Sequence, residues 1–272
     1  MTLSRPAVRD LLTSRGLAPR RDLGQNFVAD PNTVRRIAHL AGVGAGDHVL
    51  EIGAGLGSLT IALADTGAAV TAVEVDHGLV GVLAEVVGGY ANVTVVEADA
   101  TRLDWATLLG DHDQWVLVAN LPYNIATPLV ADVLDGVPAV RRMLVMVQRE
   151  VAERLAAGSG TRAYGAVSVK VAYWADARIV GDVPATVFLP RPNVDSALVS
   201  IIRRPPPEIA PGPLFALVRT AFNQRRKMLR RSLRDVVTPE QFAAAGVEPT
   251  ARPEQLGLDD WCRLTVATGA ST

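Results

Sequence analysis

The chain has 272 residues, is 49% hydrophobic and carries a net charge of −1, enough to bury one large core and a second, smaller one. A single cysteine, Cys262, excludes an intrachain disulfide and fits a reducing, cytoplasmic setting. The opening MTLSRPAVRDLL lacks the apolar core of a signal peptide, no apolar run reaches a membrane span, and four scattered histidines lack ligand spacing; neither a membrane nor a metal is expected.

The small net charge conceals an asymmetry. Residues 44–140 hold thirteen Asp/Glu against Arg102 alone, whereas 141–234 hold seventeen Lys/Arg against six Asp/Glu. An acidic half beside a basic half suits a protein that grips a polyanion with one face.

Residues 1–20 are basic and are expected to form a mobile arm, with a short helix around 8–14. Asp30 and Pro31 make a good N-cap and first helical position, predicting a helix over 31–41. A first strand is predicted at 48–52, followed by Gly53-Ala54-Gly55-Leu56-Gly57 and a helix from Ser58. Glycines at such a turn let the backbone approach a ligand. The spacing is G-x-G-x-G, with Ser58 where a dinucleotide fingerprint requires Gly or Ala. Together with Glu51 ahead of it, that favours S-adenosylmethionine over a nicotinamide. Glu74, near the end of a strand over 69–75, is placed to accept both ribose hydroxyls, and Asp76 caps the helix over 77–87. A third strand, 92–96, leads to Asp99.

The apolar run 115–119 predicts a buried parallel strand, and Asn120-Leu121-Pro122-Tyr123 follows at its carboxyl end, where open α/β sheets bind ligands. Pro122 fixes its own φ and holds Leu121 extended. The turn therefore offers the Asn120 side-chain oxygen and a carbonyl of Leu121 or Pro122 as acceptors, with the Tyr123 ring beside them. That set suits a flat heteroaromatic ring bearing an exocyclic amino group. Further on come a helix over 126–134, a strand over 142–147, a helix over 148–157, and a helix and two strands within 164–203. Phe188 stands among prolines on a stiff loop, 184–192. A Pro-rich linker spans 205–213. Beyond it, an amphipathic helix leads into Arg225, Arg226, Lys227, Arg230 and Arg231, a cluster that predicts phosphate binding. Short helices and a loose tail after Ala267 are expected to finish a small bundle.

The stretch NLPY resembles the target-base motif of the rRNA adenine N6,N6-dimethyltransferases, and the likeness covers nearly the whole chain, closest to the small-subunit branch. It implies an α/β fold: a Rossmann-like S-adenosylmethionine-dependent methyltransferase sheet over 21–204, with a small helical RNA-binding domain over 214–272. In that family GQNF, here Gly24 to Phe27 with Val28 in place of the usual Leu, borders the methionine end of the cofactor. The resemblance adds Asn26 and Val28 to Gly53, Gly55, Glu74, Asp99 and Asn120 as cofactor contacts, with Asp99 accepting from the cofactor's adenine amino group. It makes Phe188 and Tyr123 the two faces of a sandwich around the target adenine. The implied reaction is dimethylation of two adjacent adenosines in a 3′-terminal hairpin loop of 16S rRNA during small-subunit biogenesis, by a monomer without a metal. Two alternatives are a 23S rRNA methylase of the macrolide-resistance type and an RNA-binding assembly or transcription factor with secondary methylase activity.

Overall fold

The computed structural model describes residues 2–20 and 22–269. In chain order the elements are α1 (Arg5–Ser14), β1 (Phe27–Val28), α2 (Pro31–Ala41), β2 (His48–Ile52), α3 (Ser58–Ala64), β3 (Ala69–Glu74), α4 (His77–Val87), β4 (Val93–Glu97), α5 (Trp105–Leu109), β5 (Trp115–Asn120), α6 (Ala126–Gly136) and β6 (Val140–Gln148). They continue with α7 (Arg149–Leu155), α8 (Ala166–Trp174), β7 (Ala175–Val183), β8 (Phe188–Leu189), β9 (Ser196–Arg203), α9 (Pro211–Phe222), α10 (Leu229–Ser232), α11 (Pro239–Ala245) and α12 (Leu258–Ala267).

Seven strands form one sheet in the order β4-β3-β2-β5-β6-β9-β7. The pairs from β4 through β6 are parallel, and β9 runs antiparallel to β6. Parallel strands need both faces covered, which is why β5 is apolar at every position from Trp115 to Ala119 and buried there. The chain runs outward from β2 through β3 to β4, then returns to β5 on β2's other side. That reversal opens a crevice at the carboxyl ends of β2 and β5. A separate two-stranded ladder joins β1 to β8, antiparallel, with Val28 opposite Phe188.

Caps set the helix starts where the sequence placed them. Asp30 accepts from Thr33 N–H at 2.9 Å ahead of Pro31, and Asp76 accepts from Gly78 N–H at 3.0 Å. Three expectations need correction. The N-terminal segment is not a free arm. Val8 and Leu12 on α1 are buried in a cluster with Phe27, Leu56, Leu79 and Val82, so the helix docks by its apolar face. The linker ends earlier than Pro213, because α9 starts at Pro211; first-turn N–H groups have no helical acceptor to lose, so prolines are tolerated there.

The domain boundary also moves. The chain divides into one unit of residues 1–152 with 178–202 and a second of 153–177 with 203–272. Helix α8 therefore belongs with the C-terminal helices and not with the sheet domain. Its Val169 and Tyr173 join Leu214, Phe215, Trp261 and Leu264 in one core. The rings of Tyr173 and Phe215 meet edge to face at 5.2 Å, and the Tyr173 hydroxyl donates to the Ile209 carbonyl. The expected loose tail beyond Ala267 falls largely on 270–272, outside the described residues.

Candidate functional site

A pocket opens at the carboxyl ends of β2, β3 and β5. Its walls are the segment 23–28, the glycine turn, Glu74 and Val75, residues 98–100, and the turn from Asn120 to Tyr123 with Ile125. Asn26, Val28, Gly53, Gly55, Glu74, Asp99, Asn120, Leu121, Pro122 and Tyr123 thus converge from separate parts of the sequence. The described lining includes Glu51, Glu74 and Asp99 and no Lys, Arg or His.

The glycine turn is built on left-handed backbone, with Gly53 at φ 74° and Gly55 at φ 59°. A Cβ on Gly55 would lie 3.1 Å from the Phe27 ring, so only glycine lets that ring close over the loop. Most of the loop's donors are already engaged. Gly53 and Ala54 N–H donate to the Val73 carbonyl at 2.9 and 3.2 Å, and Gly55 N–H donates to Glu74 Oε2 at 2.8 Å. A pyrophosphate cradle needs such N–H groups free. A cationic or zwitterionic ligand does not.

Glu74 braces the backbone around it. Its Oε1 takes Val75 and Asp76 N–H, each at 3.0 Å, while Oε2 holds Gly55. Burial raises its pKa, and these three backbone donors oppose the rise. Oε2 keeps capacity for one hydroxyl, so the expectation that this carboxylate serves both ribose hydroxyls alone is narrowed. Asp99 caps the 3-10 turn 100–102, with Oδ1 accepting from Thr101 N–H and hydroxyl at 2.9 and 2.7 Å. Those bonds, the hydroxyl's first, hold its pKa below the ordinary value and leave Oδ2 for an amino donor. Val75, exposed although apolar, lines the pocket and offers it an apolar contact.

The decisive local geometry lies at Asn120. Its Nδ2 donates to the Asn26 main-chain carbonyl at 2.9 Å, which fixes the amide's orientation and leaves Oδ1 as a free acceptor. Asn26 thus acts through its carbonyl, while its side chain bonds to Gly24 O at 3.1 Å. The two carbonyls of the turn, Leu121 and Pro122, differ in their partners. The Pro122 carbonyl accepts from Ile125 and Ala126 N–H, both at 3.1 Å, as α6 begins. Among the described residues no donor reaches the Leu121 carbonyl, which leaves it as the free main-chain acceptor of the turn. The Leu121 side chain is buried, so its backbone is anchored from below.

Phe188 does not line the pocket. It is fully buried in the core with Val28, Val34, Ile37 and Leu198, because its pairing with Val28 sends the ring inward. The expected second face of an aromatic sandwich is therefore not supplied by Phe188 in this conformation. Tyr123 is half-buried on the pocket wall, with its hydroxyl 2.9 Å from Ser196 Oγ.

In the second unit, Arg226, Lys227, Arg230 and Arg231 line a shallow basic concavity with Met228 and Arg252. Arg252 lies distant in sequence from the basic cluster, and nothing local in the chain marked it. Arg225 is not part of that lining. Its guanidinium donates to the Arg162 carbonyl at 2.8 Å and lies 3.7 Å from Glu254, fastening the turn 158–162 to the helical core.

Among the pocket residues that the sequence did not single out as site residues, Glu51 has the most unusual environment. Glu51 is buried on β2, and among the described residues its Oε2 meets no hydrogen-bond partner. Burial, reinforced by the neighbouring Glu74 charge, pushes its pKa up to about 8. Below that pH the folded protein keeps Glu51 protonated, whereas an unfolded chain ionises it near pH 4.3. The folded state then binds more protons, so stability falls as pH rises through this window, by up to about 1.4 kcal/mol per pH unit. Glu51→Gln should flatten that dependence between pH 5.5 and 7.5 in denaturant titrations. Equal slopes for variant and parent would contradict the neutral carboxyl.

The chain as a whole resembles known proteins. The sequence profile of the family described as Ribosomal RNA adenine dimethylase matches residues 16–268. A Thermobifida fusca protein named Ribosomal RNA small subunit methyltransferase A is 48% identical over 94% of this chain and 93% of its own length. The protein of the same name from Acidothermus cellulolyticus is 47% identical over 96% and 92%. Among solved structures, the 23S rRNA methyltransferase ErmE superposes with a TM-score of 0.71 at 26% identity, over 90% of this chain and all of that one. A dimethyladenosine transferase from Plasmodium falciparum reaches 0.73 at 24% identity, over 89% and 98%, and shares the fold. Profile and relatives run through both structural units, and on that footing the chain belongs to the ribosomal RNA adenine dimethylase family.

Proposed function

We propose that this protein transfers methyl groups from S-adenosylmethionine to N6 of two adjacent adenosines in a 3′-terminal hairpin loop of 16S rRNA, yielding dimethyladenosines during small-subunit biogenesis. The observation that carries the reading is the pair of free acceptors at the turn, Asn120 Oδ1 and the Leu121 carbonyl. The cofactor fits the pocket chemically. An acidic lining without cations suits a positively charged sulfonium, and the ribose and adenine have Glu74 and Asp99 as acceptors. Glu51 and Ser58 carry buried polar atoms without partners on the same wall. When bound, the sulfonium supplies an activated methyl and leaves as a neutral thioether.

The chain's own work is to prepare the nucleophile. Adenine N6 shares its lone pair with the ring and attacks poorly. In the first transfer, hydrogen bonds from its two protons to Asn120 Oδ1 and the Leu121 carbonyl localise that pair and aim it; in the second, the one remaining N–H bonds to one of these acceptors. This is positioning and electrostatics rather than base catalysis. Residues 120–123 contain no carboxylate or imidazole. The proton shed by N6 after transfer therefore passes to solvent. The Tyr123 ring supports one face of an adenine drawn out of its loop.

The small-subunit substrate is favoured over the large-subunit alternative by identity. Relatives named for the small subunit stand at 42–48%, whereas the 23S enzyme stands at 26%. We further propose that the protein acts as a monomer in the cytoplasm; among the described residues no helix is long and apolar enough to cross a membrane. The test is transfer of labelled methyl to small and to large subunits, each isolated from cells lacking the enzyme. Label is expected at adenine N6 of the small-subunit rRNA. Label confined to large subunits would reverse the assignment.

The basic concavity is proposed as the phosphate-binding surface, now with Arg252 added and Arg225 assigned to internal support. Changing Arg226, Lys227 and Arg230 to Ala should reduce the log–log salt slope of RNA binding by about 0.9 per lost contact on duplex and about 0.7 on single strands. Arg225→Ala should lower the unfolding midpoint and leave that slope alone. Filter binding across a salt series reads the slope, and an unchanged slope in the triple variant would contradict the surface.

A further inference from the structure

The target-base aromatic is held at both ends. Tyr123 sits in the short turn between β5 and α6, which the Pro122 carbonyl closes by accepting from Ile125 and Ala126 N–H. Its hydroxyl, at the far end of the ring, shares a hydrogen bond of 2.9 Å with Ser196 Oγ, 73 residues away. Ser196 is fully buried at the first position of β9, paired with Gln148 of β6. The residue before it reinforces that position. The Asp195 carbonyl accepts from Arg149 N–H at 3.1 Å, and its Oδ1 accepts from Ala185 N–H at 2.8 Å. Ser196 is thus a rigid post, tied to β6, to the start of α7 and to the loop before β8.

We infer that Ser196 is a positioning residue for the target base: through the Tyr123 hydroxyl it sets the plane of the ring against which adenine stacks. The inference rests on the adenine reading of the pocket. Swinging the ring away would strand a buried Ser196 hydroxyl without a partner, so the bond biases Tyr123 toward one rotamer. Stacking a base on a ring already in place avoids the loss of side-chain freedom that a loose ring incurs on binding. Burial raises the Tyr123 pKa, so the hydroxyl stays neutral and able to share the bond. Ser196 does not line the pocket and touches no reacting atom.

A double-mutant cycle tests this. Ser196→Ala and Tyr123→Phe each remove the bond and keep the ring. Each should slow single-turnover methyl transfer to small subunits about 3- to 10-fold, with S-adenosylmethionine affinity unchanged by calorimetry. The double variant should be no slower than the slower single, because both changes delete one interaction. Small-subunit RNA carrying 2-aminopurine at the target position provides a second readout. Its fluorescence should be quenched on binding the parent and less quenched with either variant, which a purely structural defect would not produce. Additive rate losses, or unchanged rate and quenching in Ser196→Ala, would overturn the inference. If the parent itself transfers no methyl to adenine N6, the broader reading fails instead, and the two failures remain separable.

Discussion

One hydrogen bond orders the chemistry of this molecule: Asn120 Nδ2 to the Asn26 carbonyl. An amide is ambiguous until something decides which end points where. By engaging the NH₂ group, the segment 24–28 presents an acceptor, and not a donor, to the pocket. The consequence is a pocket that accepts hydrogen bonds from an amine and cannot donate one from this residue. The neighbouring carbonyls follow the same logic. Pro122 gives its oxygen to the start of α6, and Leu121, extended by the proline after it, keeps its own free. The N-terminal segment therefore helps to shape the pocket, and α1 and β1 are packed down beside it by Val8, Leu12 and Phe27.

Electrostatics on the other wall points the same way. The glycine loop closes its own donors onto Val73 and Glu74, and the described lining carries acids without a compensating cation. In a nucleotide site that exposes loop N–H groups, anionic phosphate is the natural ligand. Here the field favours positive charge. A neutral, protonated Glu51 beneath Glu74 moderates the repulsion between two buried carboxyls, since only one of them needs to be ionised.

Much of this was legible in the chain because the governing signals are local. Asp30 before Pro31, the glycine turn after an apolar strand, and NLPY after five buried residues each carry their own geometry within a few positions. The failures are tertiary. Phe188 among prolines looked like an exposed platform, and only the pairing of β1 with β8, between segments about 160 residues apart, turns it into the core. The helix expected within 164–203 carried no local sign of which core it joins; Leu214, Phe215 and Trp261 decided it. Arg225 belonged by sequence to a run of cations, and a carbonyl at Arg162 with a carboxylate at Glu254 claimed it. Arg252 entered the basic surface from a distant loop for the same reason.

The central claim is that paired acceptors at the turn activate adenine N6 without a base. Single-turnover methyl transfer by Asn120→Ala, on small subunits with cofactor and RNA both saturating, tests it most directly. Removing one preorganised acceptor should slow transfer by about 10²–10³, with RNA affinity retained and cofactor affinity measured in parallel. Transfer at a rate near the parent's would contradict the account.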